Sequence, residues 1–343
     1  MSVPRWPSAW GATVGRALIR VKAEDFCVRE ELGFEPSGTG EHVFLFLEKR
    51  GLDTLELVQR LRKLSGVSQR DIGYSGLKDR NALTQQWFSV GMAKRPEPDW
   101  QALEDRGDVS VLHCTRHSRK LRRGVHRGNR FRLTLRSLEG EPDCLQQRLR
   151  TLRAKGVPNY FGPQRFGRRG ATLTQALSWA EGETRSPNRA ARGRYLSAIR
   201  AFLFNTVLAA RVSADTWERP IGGDICMLDG TRSFFVCDDI DDMLVARADK
   251  GDVHVGLPLW GAGVSGSEQI ASTAAAKQLA RHAHLCLFLE RQGLAMDWRP
   301  ARMLADDFCW QFCDHGVLRL DFFLGAGSYA TALLAEVVQH EQG

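Results

Sequence analysis

The stretch DTLELVQRLRKLSG, residues 53 to 66, constrains the fold more than any other part of the sequence. Asp53 and Glu56 stand at capping-box spacing, Leu57, Val58, Leu61 and Leu64 fall on one helical face, and Gly66 follows as a stop. Before it, EHVFLFLEKR is a β-rich run bounded by the turn PSGTGE; after it, DIGYSG and QQWFSV read as short strands. The expectation is a strand, a capped helix and two further strands, with GLKDR, residues 76 to 80, on the connection between the last two. A carboxylate on such a connection, Asp79, can be held out toward a ligand by rigid neighbours.

Further along, TRHSRKLRRGVHRGNRFR, residues 115 to 132, holds eight Lys or Arg residues and no acid. It leads into a predicted strand, RFRLTLRSL, and an amphipathic helix, CLQQRLRTLRAKG. At VPNYFGPQRFGRRG the chain changes character, becoming helical and arginine-rich to about residue 212 and mixed in structure to about 290. GVLRLDFFLGAGSYATALLAEVV reads as a strand, a tight turn and a C-terminal helix. The 343 residues suffice for one large domain or two ordinary ones, and 48 Lys and Arg against 40 Asp and Glu leave a charge of +8 that attracts polyanions. The eight cysteines are scattered and form no C-x-x-C pair, which suits reduced thiols in a cytoplasmic protein. The N-terminus lacks the apolar core of a signal peptide, and no run approaches the eighteen or so apolar residues of a membrane span.

Each conspicuous motif has an ordinary reading beside the functional one. A basic run is commonly a solvated ribbon, but Gly124, Gly128, Asn129 and Phe131 interrupt this one. A ring that stacks on a base contributes on the order of 1–3 kcal/mol while neighbouring cations neutralise phosphates, so RNA binding is the better reading. GAGSYA, residues 325 to 330, formally matches a dinucleotide fingerprint. Thirteen residues follow it, too few for a second strand and a ribose-binding acid. The acidic cluster CDDIDDM lacks the glycine and the final glutamate of a calcium loop, and the histidines are dispersed, so no metal is assigned. The KDR triplet around Asp79 is by itself an ordinary surface ion pair.

Five segments in order, EDFCVRE, GLKDRNALTQQW, RKLRRGVHRGNRF, GVPNYFGPQRFG and FLGAGSYAT, resemble the signature segments of the TruD family of tRNA pseudouridine synthases, over almost the whole chain. The resemblance implies conversion of uridine 13, in the D-arm region of tRNA, to pseudouridine without metal or cofactor. It puts the catalytic aspartate on Asp79, the base-contacting aromatic and amide on Phe131 and Asn129, and pocket-lining rings on Phe26 and Tyr329. The family's basic partner falls on Arg20, where a lysine is usual, and the proline before ED is Ala23 here. Lys22 and Lys78 therefore stay open as the cation beside Asp79. The implied fold is α/β of the α+β kind: a catalytic domain around a mostly antiparallel mixed sheet, residues 1–155 and 303–343, with an inserted α/β TRUD-type domain at 156–302.

The chemistry gives each residue type a task. A uridine in folded RNA must be flipped out before its glycosidic bond is reached, at a cost of a few kcal/mol that stacking and phosphate contacts offset. Phe131 suits the first contact, and Lys120, Arg122, Arg123, Arg127, Arg165 and Arg168 suit the second. Asp79 would attack C1′ of the sugar, add to C6 of the uracil, or abstract a sugar proton; the sequence leaves all three open. The expected partner is tRNA, the expected state a monomer. An RNA-binding or RNA-folding protein without essential catalysis, and a synthase acting on another RNA, are the alternatives.

Overall fold

The computed structural model describes residues 4–93, 95–263 and 274–342. Helix α1 spans Thr54–Ser65. Asp53 caps it by accepting the Glu56 amide hydrogen at 2.9 Å, and Gly66 ends it in the left-handed region at φ 67°. The Glu56 carboxylate turns outward to Arg80 and Arg60. Leu57, Val58 and Leu61 are fully buried against Val43, Leu45, Leu47, Phe88 and Val90, each contributing about 2 kcal/mol of burial.

The chain forms two compact units. One comprises Val14–Leu145, Ala305–Gly327 and Val338–Gly343. Its strands are β1 (Gly15–Ile19), β2 (Phe26–Leu32), β3 (His42–Arg50), β4 (Ile72–Tyr74), β5 (Leu83–Gly91), β6 (Val109–His117), β7 (His126–Glu139), β8 (Asp306–Cys313), β9 (Val317–Gly325) and β10 (Val338–Gln342). Among the described residues they make one sheet in the order β8-β9-β7-β2-β5-β3-β6, with β1 beside β7 and β10, and β4 beside β5. The β2–β5 and β1–β10 pairings are parallel and the others antiparallel, so the sheet is mixed and mostly antiparallel.

Register decides what shares a face, because side chains alternate along each strand. Glu30 is opposite Asn129 and Val28 opposite Phe131; Val28 is also level with Thr84; Thr84 is opposite Lys49. Phe26, Glu30, Asn129, Phe131, Thr84 and Lys49 therefore all project from the face on which α1 packs. At Gly128 a Cβ would stand 2.2 Å from the Leu324 carbonyl oxygen, so only glycine lets β9 approach β7 beside Asn129.

The other unit comprises Met1–Thr13, Gln146–Leu304 and Ser328–Val337. Its long helix, Arg189–Ser213, buries Phe204, Val207 and Leu208 among Trp179, Val255, Leu257 and Leu289. Within it, Ala191–Ser213 is long and apolar enough to cross a membrane, but 67% of that stretch is buried inside the unit, and a core helix meets the same description. A four-stranded antiparallel sheet runs in the order Phe234–Val236, Ile225–Leu228, Val253–Leu259, Asp297–Pro300. One detail corrects the expectation for the tail. The helix after GAGSYA is short, Ala330–Ala335, and β10 follows it, because five extended residues suffice to lie along β1.

Candidate active site

Asp79 lies on the loop between β4 and β5, as its sequence neighbours predict. Its carboxylate is 55% exposed, and Arg20 Nη2 donates to Oδ2 at 2.7 Å. Arg20 follows directly on β1, with its backbone at φ 58°. That left-handed conformation costs a non-glycine residue on the order of 1–2 kcal/mol. The turn swings the side chain back under Phe26, with the guanidinium carbon 4.1 Å from the ring centroid. Flat guanidinium on flat ring leaves the fork free to point at the carboxylate.

Of the three cations the sequence left open, Arg20 makes the ion pair. Lys22 is exposed, and its main-chain N–H donates to Asp25 Oδ2 at 2.9 Å. Lys78 points away from Asp79: its Nζ donates to Glu30 Oε2 at 2.6 Å, and both side chains are buried. The Lys78 N–H donates to Thr54 Oγ1, which donates in turn to Gln86 Oε1, while Gln86 Nε2 donates to the Gly76 carbonyl. Thr54 is the first residue of α1, so this chain of bonds fastens the Asp79 loop to the helix start.

The aromatic residues form a file. Phe26 meets Phe131 edge-on at 6.3 Å between centroids, and Phe131 stacks on Phe322 at 5.5 Å. Phe131 is only 7% exposed, so it is packed on nearly all sides and accessible over a small area. Beside it, Asn129 Nδ2 lies 3.5 Å from His126 Nε2, while Asn129 Oδ1 is buried with no partner among the described residues. A buried acceptor left open costs about 1–3 kcal/mol, which a donor on a ligand would recover. Burial pushes the His126 imidazole below its usual range, toward the neutral form.

The basic run divides in two. Arg122 is exposed, and Arg127 is mostly exposed while lying over the Phe323 ring at 4.7 Å. Lys120 donates to the Arg70 carbonyl, and Arg123 donates to Tyr74 Oη at 2.7 Å while stacking on its ring. Arg130, between them and β8, is neutralised by Glu31, Asp307 and Asp321. In the other unit, Arg165 donates to Tyr329 Oη at 2.6 Å and to Ser197 Oγ at 3.0 Å, and Tyr329 lies 6.0 Å from Phe161. Arg168 is exposed there.

Sequence reasoning missed Lys49 and Glu30. Lys49 is 1% exposed, and its Nζ donates to the carbonyls of Leu52 at 2.6 Å and of Asp79 at 3.3 Å. Burial, partly offset by Asp53, lowers its pKa to about 8. The signal was present: in HVFLFLEKR, Lys49 continues the inward series Val43, Leu45, Leu47, as Glu30 continues Phe26 and Val28. Among the described residues no group of three or more His, Cys, Asp or Glu is placed to hold a metal ion.

A family model described as tRNA pseudouridine synthase D (TruD) matches residues 12–186 and 184–337. The tRNA pseudouridine synthase D of Nitrosococcus oceani is 45% identical over 327 residues, 95% of this chain and 91% of that protein. That of Methylococcus capsulatus is 45% identical over 338 residues, 98% of this chain and 94% of that protein. The Pseudomonas aeruginosa protein of the same name is 42% identical over 332 residues, 97% and 93% of the two chains. A crystal structure of a putative TruD from Methanosarcina mazei shares the fold with a TM-score of 0.67, at 20% identity, over 98% of this chain and 96% of that one.

Proposed function

The chain belongs to the TruD family of tRNA pseudouridine synthases and isomerises uridine to pseudouridine in tRNA; from that premise we propose that its target is uridine 13 in the D-arm region, with Asp79 the catalytic carboxylate and Arg20 its cationic partner. The observation that carries the assignment is the Arg20–Asp79 ion pair, set on an exposed loop against the Phe26–Phe131 file. Such a carboxylate is at once accessible to RNA, counter-charged, and held by a fastened loop.

The flipped uracil meets the Phe131 edge, and its ring N–H and carbonyl groups match the open oxygen and the amide nitrogen of Asn129. Asp79 then promotes cleavage of the C1′–N1 bond. The uracil turns within the pocket and forms C1′–C5, after which C5 gives up its proton and N1 gains one, so the product is an isomer and nothing is consumed. Arg122 and Arg127 contact the phosphates from the catalytic unit; Arg165, Arg168 and Tyr329 serve the RNA from the unit that contains the inserted segment 156–302. Lys120 and Arg123 belong to the same basic surface, each also tied to a neighbour, Lys120 to the Arg70 carbonyl and Arg123 to Tyr74. The enzyme works as a cytoplasmic monomer.

Incubation with tRNA carrying tritium at uridine C5 tests this reading. Release of tritium to water that Asp79→Asn abolishes supports it, and release that survives the substitution overturns the role of Asp79.

A further inference from the structure

We propose that Lys49 is a positioning residue for the proposed catalytic aspartate: its buried ammonium ties the main chain of Asp79 to the turn that opens α1 and so fixes where the carboxylate stands. The inference rests on the reading of Asp79 as the reacting group.

Lys49 sits near the end of β3, fully covered, with Thr84 opposite on β5 and Val109 opposite on β6. Both groups it donates to are main-chain carbonyls, Leu52 at 2.6 Å and Asp79 at 3.3 Å. Neutral carbonyls repay little of the desolvation of an ammonium, so a methionine would fill this inward strand position at lower cost to the fold. What the ammonium adds is a link between two segments that share no backbone ladder, the α1 turn and the Asp79 loop. It acts on the residue that carries the carboxylate, through that residue's own peptide group, while Arg20 acts on the carboxylate itself. Loss of the link lets the loop shift by a fraction of an ångström, and misplacement on that scale lowers kcat roughly tenfold to 100-fold without touching the groups that bind RNA.

The link is sensitive to pH. The charged groups facing Lys49 are Asp53 at the α1 cap and Lys78, Asp79 and Arg80 on the loop, while Thr84 and Val109 are uncharged. Because burial lowers its pKa to about 8, the ammonium is present at neutral pH and is lost as pH rises through that value. An arginine at the same place stays charged throughout.

The test compares wild type, Lys49→Met, Lys49→Arg and Asp79→Asn in single-turnover tritium release, with tRNA affinity and thermal melting measured in parallel. The expected results are a kcat for Lys49→Met down roughly tenfold or more with tRNA affinity held, a wild-type kcat that falls as pH rises through about 8, and the loss of that fall in Lys49→Arg. A folded Lys49→Met with wild-type kcat overturns the proposal. So does an alkaline fall that persists in Lys49→Arg, or a wild type without one, and these two readings stand even where Lys49→Met does not fold. An active Asp79→Asn is a separate failure, of the reading beneath it.

Discussion

Arg20 reaches Asp79 from a left-handed backbone, lying 4.1 Å from the Phe26 ring centroid and 2.7 Å from the carboxylate it serves. With Asp79 half-exposed, the pair contributes only about 0–1 kcal/mol to stability, which fits the proposed role in the chemistry better than one in holding the fold.

Arg20→Met is therefore expected to leave the melting temperature nearly unchanged while lowering kcat by about tenfold to 100-fold. Arg20→Lys should keep only part of the activity, because a point charge on a long stem still reaches Oδ2 but loses the flat contact with Phe26. Tritium release and melting on the two variants check both statements; a wild-type kcat in Arg20→Met would remove Arg20 from the site.

Phe131 has two roles that substitution can separate. It is packed between Phe26 and Phe322, so Phe131→Ala should destabilise the catalytic unit by about 3–5 kcal/mol as well as slow the reaction. Phe131→Leu retains apolar volume but offers no aromatic ring for the base to meet. It should recover most of the melting temperature and little of kcat, with tRNA affinity changed least of all, since many cations hold the backbone. Recovery of kcat along with stability would make Phe131 a packing residue only.

How far the sequence reaches is visible in these residues. Capping, amphipathicity and alternation are local, so α1, its flanking strands and the loop carrying Asp79 were all readable in the order of the residues. The partner of a loop carboxylate is not local: Arg20 is 59 positions away, and only the sheet order brings the end of β1 to the loop before β5. Lys78, adjacent to Asp79, stayed open as a partner beside Arg20, yet it satisfies Glu30, which projects from the buried face of β2. The final strand escaped notice because six helical residues and five extended ones are both too short for periodicity to show. Lys49 was legible as a lysine at an inward position of an apolar strand, a pattern that a tally of motifs passes over.

Salt dependence should distinguish the two halves of the basic run. Each phosphate contact contributes about 0.7–0.9 to the slope of log affinity against log salt. Arg122→Ala and Arg127→Ala are each expected to lower the slope by about that amount. Arg123→Ala, which removes a bond to Tyr74 and a ring contact, should change melting more than slope. Equal slopes for Arg122→Ala, Arg127→Ala and wild type, measured by filter binding across salt concentrations, would place the RNA elsewhere.

The buried Lys78–Glu30 pair fastens the loop that carries Asp79, and its two halves are costly apart. Glu30→Gln leaves an ammonium buried beside a neutral amide and a His126 ring that burial keeps neutral, so it should destabilise by about 3–5 kcal/mol. Lys78→Met should cost a similar amount by stranding the Glu30 carboxylate. The double variant removes both charges at once and is expected to regain much of that loss, because no unpaired charge is left buried. Activity should not follow stability: with no Lys78 Nζ holding the loop to β2, kcat stays low in the double variant even when melting recovers. A double-mutant cycle read by melting and by tritium release checks both quantities, and recovery of kcat together with stability would mean that the loop is held by Thr54 and Lys49 alone.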